Sequence, residues 1–218
     1  MAIAAQNELI QIQTQTEQVE GMLELPLNPI GIVLFAHGSG SSRLSPRNNY
    51  VARELHKARL GTLLMDLLTS NEDRDYRRRF DIPLLTQRLS AAVSWVQQYD
   101  STVSLPIGLF GASTGAAAAL QVAAMREDDI AAVVSRGGRP DLAGTEALVK
   151  VRVPTLLIVG GLDDEVIELN RAACGVLNCE KKMEIVPGAT HLFEEQGALE
   201  MVAELAAEWL VRYLEIPS

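Results

Sequence analysis

Cysteine is scarce: the chain has two, Cys174 and Cys179, among 218 residues. So few thiols exclude a disulfide-stapled scaffold, and their spacing matches no zinc or redox motif. They read as free thiols in a reducing compartment. Basic charge is also short, with 19 Lys and Arg against 28 Asp and Glu, a net charge of −9. That balance argues against nucleic acid as a partner. No EF-hand or H-E-x-x-H spacing occurs, so no metal and no cofactor is expected. The N-terminal stretch Met1–Glu8 has neither a basic segment nor a long apolar core. No secretory leader is therefore expected, and the cytoplasm is the default location.

Long apolar spans are missing too. Ser101–Met125 carries no charge, and Gly111 and Gly115 form a G-x-x-x-G pair, both marks of a membrane helix. Pro106, three glycines and several hydroxyl and amide side chains within the stretch argue against one. No membrane contact is expected. No repeat, linker or compositional break divides the chain, so one domain covering residues 1–218 is the expectation. Its oligomeric state is left open, with a homodimer as one option.

What is present is a strong alternation of elements. Leu9–Gln15 and the stretch around Val19–Leu25 alternate apolar and polar residues, which predicts an antiparallel hairpin with one wet face. Ile30–Ala36 is a continuous apolar run, and similar runs recur at Thr62–Met65, Leu105–Phe110, Ile130–Val134, Thr155–Val159 and Met183–Val186. Such runs predict parallel strands covered on both faces. Helical patterns fall between them at Arg47–Ala58, Ile82–Gln98, Ser113–Met125, Pro140–Val149, Glu165–Leu177 and Ala198–Leu214. The fold class is therefore α/β, a doubly wound and mostly parallel sheet with an N-terminal antiparallel hairpin and helices on both faces. Ligands in such folds sit beyond the carboxyl ends of the strands. The mixed-charge stretch Asn71–Asp81 reads as solvated surface.

The residues after each run carry the chemistry. Gly111-Ala112-Ser113-Thr114-Gly115 follows the Leu105 strand and opens the Ser113 helix. A strand, a tight turn and a helix around G-x-S-x-G form the setting of an exposed nucleophilic serine. Gly160-Gly161-Leu162-Asp163-Asp164 follows the Thr155 strand, and Pro187-Gly188-Ala189-Thr190-His191 follows the last one. Serine, aspartate and histidine thus stand at separate strand ends, in the chain order of an α/β-hydrolase triad. A serine needs a base, and the chain offers three histidines: His37, His56 and His191. His56 lies in a predicted helix and reads as a surface residue. His37 belongs to the His37-Gly38-Ser39-Gly40 loop, which is placed to form an oxyanion hole. His191 remains as the base. Asp163 is preferred to Asp164 as the acid that orients it, because Asp164 and Glu165 suit the N-terminus of the next helix. The oxyanion would be held by the backbone N–H groups of Ser39 and Thr114.

These residues resemble those of α/β-hydrolases of the dienelactone-hydrolase-like type, from about Ile30 to the C-terminus. The likeness rests on His37-Gly38-Ser39-Gly40, Gly111-Ala112-Ser113-Thr114-Gly115, Gly160-Gly161-Leu162-Asp163 and Gly188-Ala189-Thr190-His191. It implies an esterase- or lactonase-like hydrolase that works through an acyl-enzyme. Dienelactone hydrolases carry a cysteine nucleophile, whereas this elbow carries Ser113. The stretches Ser135–Leu142 and Asn170–Ala173 resemble a bacterial subgroup sometimes joined to phosphoribosyltransferase domains. Between Arg136 and Val153 there is room for one short helix, so no cap domain is expected and the site should be open. That favours a small ester or lactone. Arg43, Arg47 and Arg136 stand near the ligand-facing edge and are candidates to read an anionic substrate. Acyl transfer on the same triad and a non-catalytic binding module are the alternatives.

Overall fold

The computed structural model describes residues 4–215. Its strands are β1 (Gln6–Gln13), β2 (Gln18–Leu25), β3 (Gly31–Ala36), β4 (Leu60–Met65), β5 (Ile107–Ala112), β6 (Ile130–Arg136), β7 (Thr155–Gly160) and β8 (Lys181–Val186). Its helices are α1 (Pro46–Lys57), α2 (Ile82–Val96), α3 (Thr114–Met125), α4 (Thr145–Lys150), α5 (Asp164–Val176) and α6 (Ala198–Leu214). The strands form one eight-stranded sheet in the order β1-β2-β4-β3-β5-β6-β7-β8. β1 and β2 pair antiparallel, β2 meets β4 antiparallel, and every later pairing is parallel.

The burial of β3 to β7 explains their composition. β3, β4, β5 and β7 are buried at every residue, so both faces select apolar side chains. On one face Leu34, Leu109 and Val133 pack with Leu89, Val93 and Leu120 of α2 and α3. On the other, Phe35, Phe110 and Val134 pack with Val51 and Leu55 of α1 and Val202 and Leu210 of α6. Ala116–Ala119 of α3 are wholly buried. Four small side chains in a row let that helix lie close on the sheet while keeping high helix propensity.

Two local expectations are corrected and a third is refined. The predicted Pro140–Val149 helix is a 3-10 turn, Pro140–Ala143, followed by the six-residue α4. Gly144, with φ +82, separates them, since its backbone lies in the left-handed region. No cap is inserted in this connection. The strand expected from Leu105 begins at Ile107, because Thr102 Oγ1 donates to Val96 O and holds the preceding residues in a turn. The stretch Asn71–Asp81 is largely exposed, as expected, but it is folded and its Glu72 is buried. It forms 3-10 turns at Glu72–Arg74 and Tyr76–Phe80, and Glu72 is buried against the fully buried Arg88 of α2, 2.8 Å from Arg88 Nη2. The same guanidinium donates to Thr14 and Thr16 beyond β1. One buried ion pair thus ties the hairpin, α2 and the loop after β4 together.

Candidate active site

Ser113 occupies the single residue between β5 and α3, with φ 49 and ψ −119. A non-glycine residue there carries strain of about 1–3 kcal/mol, which persists only where the surroundings impose it. They do so from three directions. The Ser113 N–H donates to Arg136 O at 3.2 Å. Its carbonyl accepts from the N–H groups of Ala116 and Arg139, each at 3.1 Å. The flanking glycines permit the contact: a Cβ on Gly115 would lie 2.1 Å from Ala36 O, and one on Gly111 2.4 Å from Ala116 Cα. Both obstacles are backbone, so neither moves aside. Gly115→Ala is expected to destabilise the protein by about 3 kcal/mol, the upper part of the overpacking range. A thermal melting point unchanged from wild type would contradict this packing.

The loop after β3 lies against the elbow. A Cβ on Gly38 would stand 3.0 Å from Ser113 Cβ. Ser39 and Thr114 line one small depression together with Gly38, Gly40, Asp73 and Arg79. A larger groove between α2 and α3, lined by Pro83, Gln87, Ser94 and Met125, holds none of these groups.

His37 supports this loop. Its Nε2 accepts the Leu67 N–H at 2.9 Å, and its Nδ1–H donates to Gly38 O at 2.9 Å. Both ring nitrogens are engaged in the neutral form, and burial pushes its pKa below the usual 6.5. The unfolded chain therefore binds more protons on this residue just below pH 6.5, so the His37 contribution to stability is full above that pH and is lost as the pH falls. Wild type should lose more melting temperature between pH 7.5 and 5.5 than His37→Gln does. An equal loss in both would remove His37 as the cause. His56, expected at the surface, is half-buried: its Nε2 lies 2.8 Å from Thr62 Oγ1, and burial lowers its pKa.

His191 lies in the connection between β8 and α6. Its Nδ1 is 2.6 Å from Asp163 Oδ2, and its side chain is 38% exposed. Asp163 stands at the residue before α5 with no side-chain bond to the helix, whereas Asp164 is the first helical residue and is exposed. The contact follows from how the chain leaves β7 and β8. Leu162 N–H donates to Ala189 O at 2.9 Å, and Gly161 N–H donates to Val186 O at 2.8 Å. Thr190 is held by Glu195 through its N–H and its hydroxyl, and Phe193 is buried beneath. The His191 ring passes beside Gly137, where its Cε1 lies 3.5 Å from the position of a Cβ. Gly137 follows Arg136, which accepts the Ser113 N–H. The ring and the serine thus flank the same two residues at the end of β6. Asn170 of α5, fully buried, donates from Nδ2 to Gly138 O at 3.0 Å and fixes that segment.

The three arginines separate. Arg43 is committed to Asp66 and Glu20, with its backbone N–H also on Asp66 at 2.8 Å. These contacts brace the loop. Arg47 meets Glu194 at 2.8 Å. Arg136 is buried, and its Nη1 has no hydrogen-bond partner. Arg79 was missed. Its Nη1 lies 3.2 Å from where a Cβ on Gly40 would be, and it lines the same depression as Ser39 and Thr114. The signal was its position beyond the carboxyl end of β4. Among the described residues, no group of three His, Cys, Asp or Glu side chains is placed to hold a metal ion, and no helix is long and apolar enough to cross a membrane.

A family model described as an alpha/beta hydrolase domain matches residues 29–209. A dienelactone hydrolase structure from Anabaena variabilis is 51% identical, covers 96% of this chain and 98% of its own, and superposes with a TM-score of 0.92. This chain is an α/β-hydrolase of the dienelactone-hydrolase-like family. Its sheet, antiparallel at β1 and β2 and parallel beyond, is the fold of that family. An esterase domain from a Rhodothermus marinus protein shares the fold at 20% identity, with a TM-score of 0.77 over 96% of this chain and 99% of that one. A Mycobacterium tuberculosis protein provisionally named a phosphoribosyl transferase is 53% identical over 208 residues. The match covers 95% of this α/β-hydrolase but 47% of the relative, so the chain spans about half the length of that curated protein.

Proposed function

We propose that this α/β-hydrolase is a serine hydrolase that cleaves a small carboxylic ester or lactone through an acyl-enzyme. Ser113 attacks the carbonyl carbon while His191 Nε2 takes the hydroxyl proton. The Thr114 and Ser39 N–H groups receive the developing oxyanion, and the proton then passes to the leaving alcohol. Water, deprotonated by the same imidazole, releases the acid. Asp163 holds His191 in the tautomer with its proton on Nδ1. The observation that carries this reading is the pairing of a strained serine (φ 49) with an imidazole whose Nδ1 is tied to a carboxylate, leaving Nε2 without a described partner.

The name of the Mycobacterium tuberculosis relative does not oppose this. That name describes a protein of which this chain spans 47%. The short connection between β6 and β7 leaves the site uncapped, which suits a small ester better than a long lipid. The test is hydrolysis of short-chain p-nitrophenyl esters across pH. Wild type should turn these esters over well above the buffer rate, and His191→Ala should not. No turnover above the buffer rate at any pH would overturn the reading.

A further inference from the structure

Arg136 is the last residue of β6 and is 9% exposed. Its neighbours fix the direction of its side chain. Ala132 and Val134 pack toward α6, and Val133 packs toward α2 and α3. Ser135 Oγ lies 2.0 Å from a Cβ position on Gly138 that also meets Ala116, so Ser135 faces α3. By strand alternation Arg136 points to the other face, toward the first turn of α1 and the segment that carries His191. There its guanidinium meets no carboxylate among the described residues, and Nη1 is buried without a partner. Burial and the nearby charge of Arg47 push its pKa down to about 10, so it stays cationic at neutral pH.

A buried, unpaired guanidinium is costly, and the fold shows what a purely structural arginine looks like. Arg88, wholly buried, has both terminal nitrogens matched by Glu72 and two threonines, and only its Nε lacks a partner. Around Arg136 the charge is the wrong way for self-compensation. Arg47 adds a second cation. The first turn of α1 contains no acidic residue, and the helix dipole adds positive potential there. Glu194, which meets Arg47, is 62% exposed and free to turn outward. In a chain of net charge −9, this is a concentrated excess of positive charge. It adjoins the nucleophile, since the Arg136 carbonyl accepts the Ser113 N–H.

We infer that Arg136, with Arg47 beside it, forms an anion subsite that binds a phosphate or carboxylate group carried by the ester substrate. The inference rests on the hydrolase reading of Ser113 but can be separated from it. Two guanidiniums against one displaceable carboxylate match a dianion best, so phosphate is expected to be the stronger ligand.

Two measurements test it. In the first, melting of wild type, Arg136→Gln and Glu194→Gln is followed with inorganic phosphate, succinate or chloride at equal ionic strength. Phosphate should stabilise wild type, stabilise Glu194→Gln more, and leave Arg136→Gln unmoved. Succinate acting better than phosphate would assign the subsite to carboxylates, and neither acting beyond chloride would overturn it. Should Arg136→Gln fail to fold, the comparison of wild type with Glu194→Gln still decides. In the second, acetyl esters of glycerol, lactate and glycerol phosphate are compared. An anionic ester should be favoured roughly ten- to a hundredfold in kcat/KM, the range for hydrogen bonds to a charged group. Arg136→Gln should erase that preference. Equal rates on all three esters, or a parallel loss on all three, would overturn the subsite. Ion-specific stabilisation without turnover of any ester would instead overturn the hydrolase reading and leave the subsite standing.

Discussion

Replacing Ser113 with alanine is expected to lower kcat for an ester substrate by about 10⁶-fold, the scale on which a serine nucleophile acts together with its base. That corresponds to about 8 kcal/mol of lost transition-state stabilisation. The loss should appear in kcat and leave KM nearly unchanged, because the hydroxyl contributes to the reaction and little to ground-state binding. Stability should rise slightly or stay level. Alanine at φ 49 keeps the strain that the backbone hydrogen bonds to Arg136 and Arg139 impose. Turnover within tenfold of wild type would show that another group performs the attack.

The second large effect concerns Asp163. Asp163→Asn should lower kcat by about 10⁴-fold, the cost of holding a catalytic imidazole in the wrong tautomer. The neighbouring carboxylate supplies the control. Asp164 is exposed in the first turn of α5, so Asp164→Asn should leave kcat/KM within about twofold and cost at most about 1 kcal/mol of helix-dipole stabilisation. The contrast depends on geometry alone, since the two residues are adjacent and chemically identical. Comparable losses from both substitutions would mean that the 2.6 Å contact between Asp163 and His191 does not operate during turnover.

Where apolar runs are continuous, sequence and structure agree, because strands buried on both faces leave no room for polar residues. Ile30–Ala36 and Thr155–Val159 are the clearest cases, matching β3 and β7 to within a residue. The positions of Ser113, Asp163 and His191 at strand ends followed from the same rule. The choice between Asp163 and Asp164 turned on where α5 begins, which composition suggests only weakly. Long-range polar pairing was not legible. Glu72 lies in a stretch expected to be solvated and is 16 positions from Arg88, yet together they are buried because each neutralises the other. Arg136 was visible as a candidate, but its burial was not. The apolar run ends at Val134, whereas β6 continues through Arg136, and only the packing of α1 and α6 shows that the side chain is enclosed. Arg79 was hidden by the mixed charge of its loop, which concealed its approach to Gly40.

The central claim is that the Ser113 hydroxyl is activated by an imidazole within its reach. The most direct measurement is intact-mass and peptide mass spectrometry after treatment with a fluorophosphonate, which reacts only with an activated nucleophile. The account predicts one phosphonyl adduct per chain, located on Ser113 and strongly slowed in His191→Ala. An unchanged intact mass, or an adduct on another residue, would contradict it.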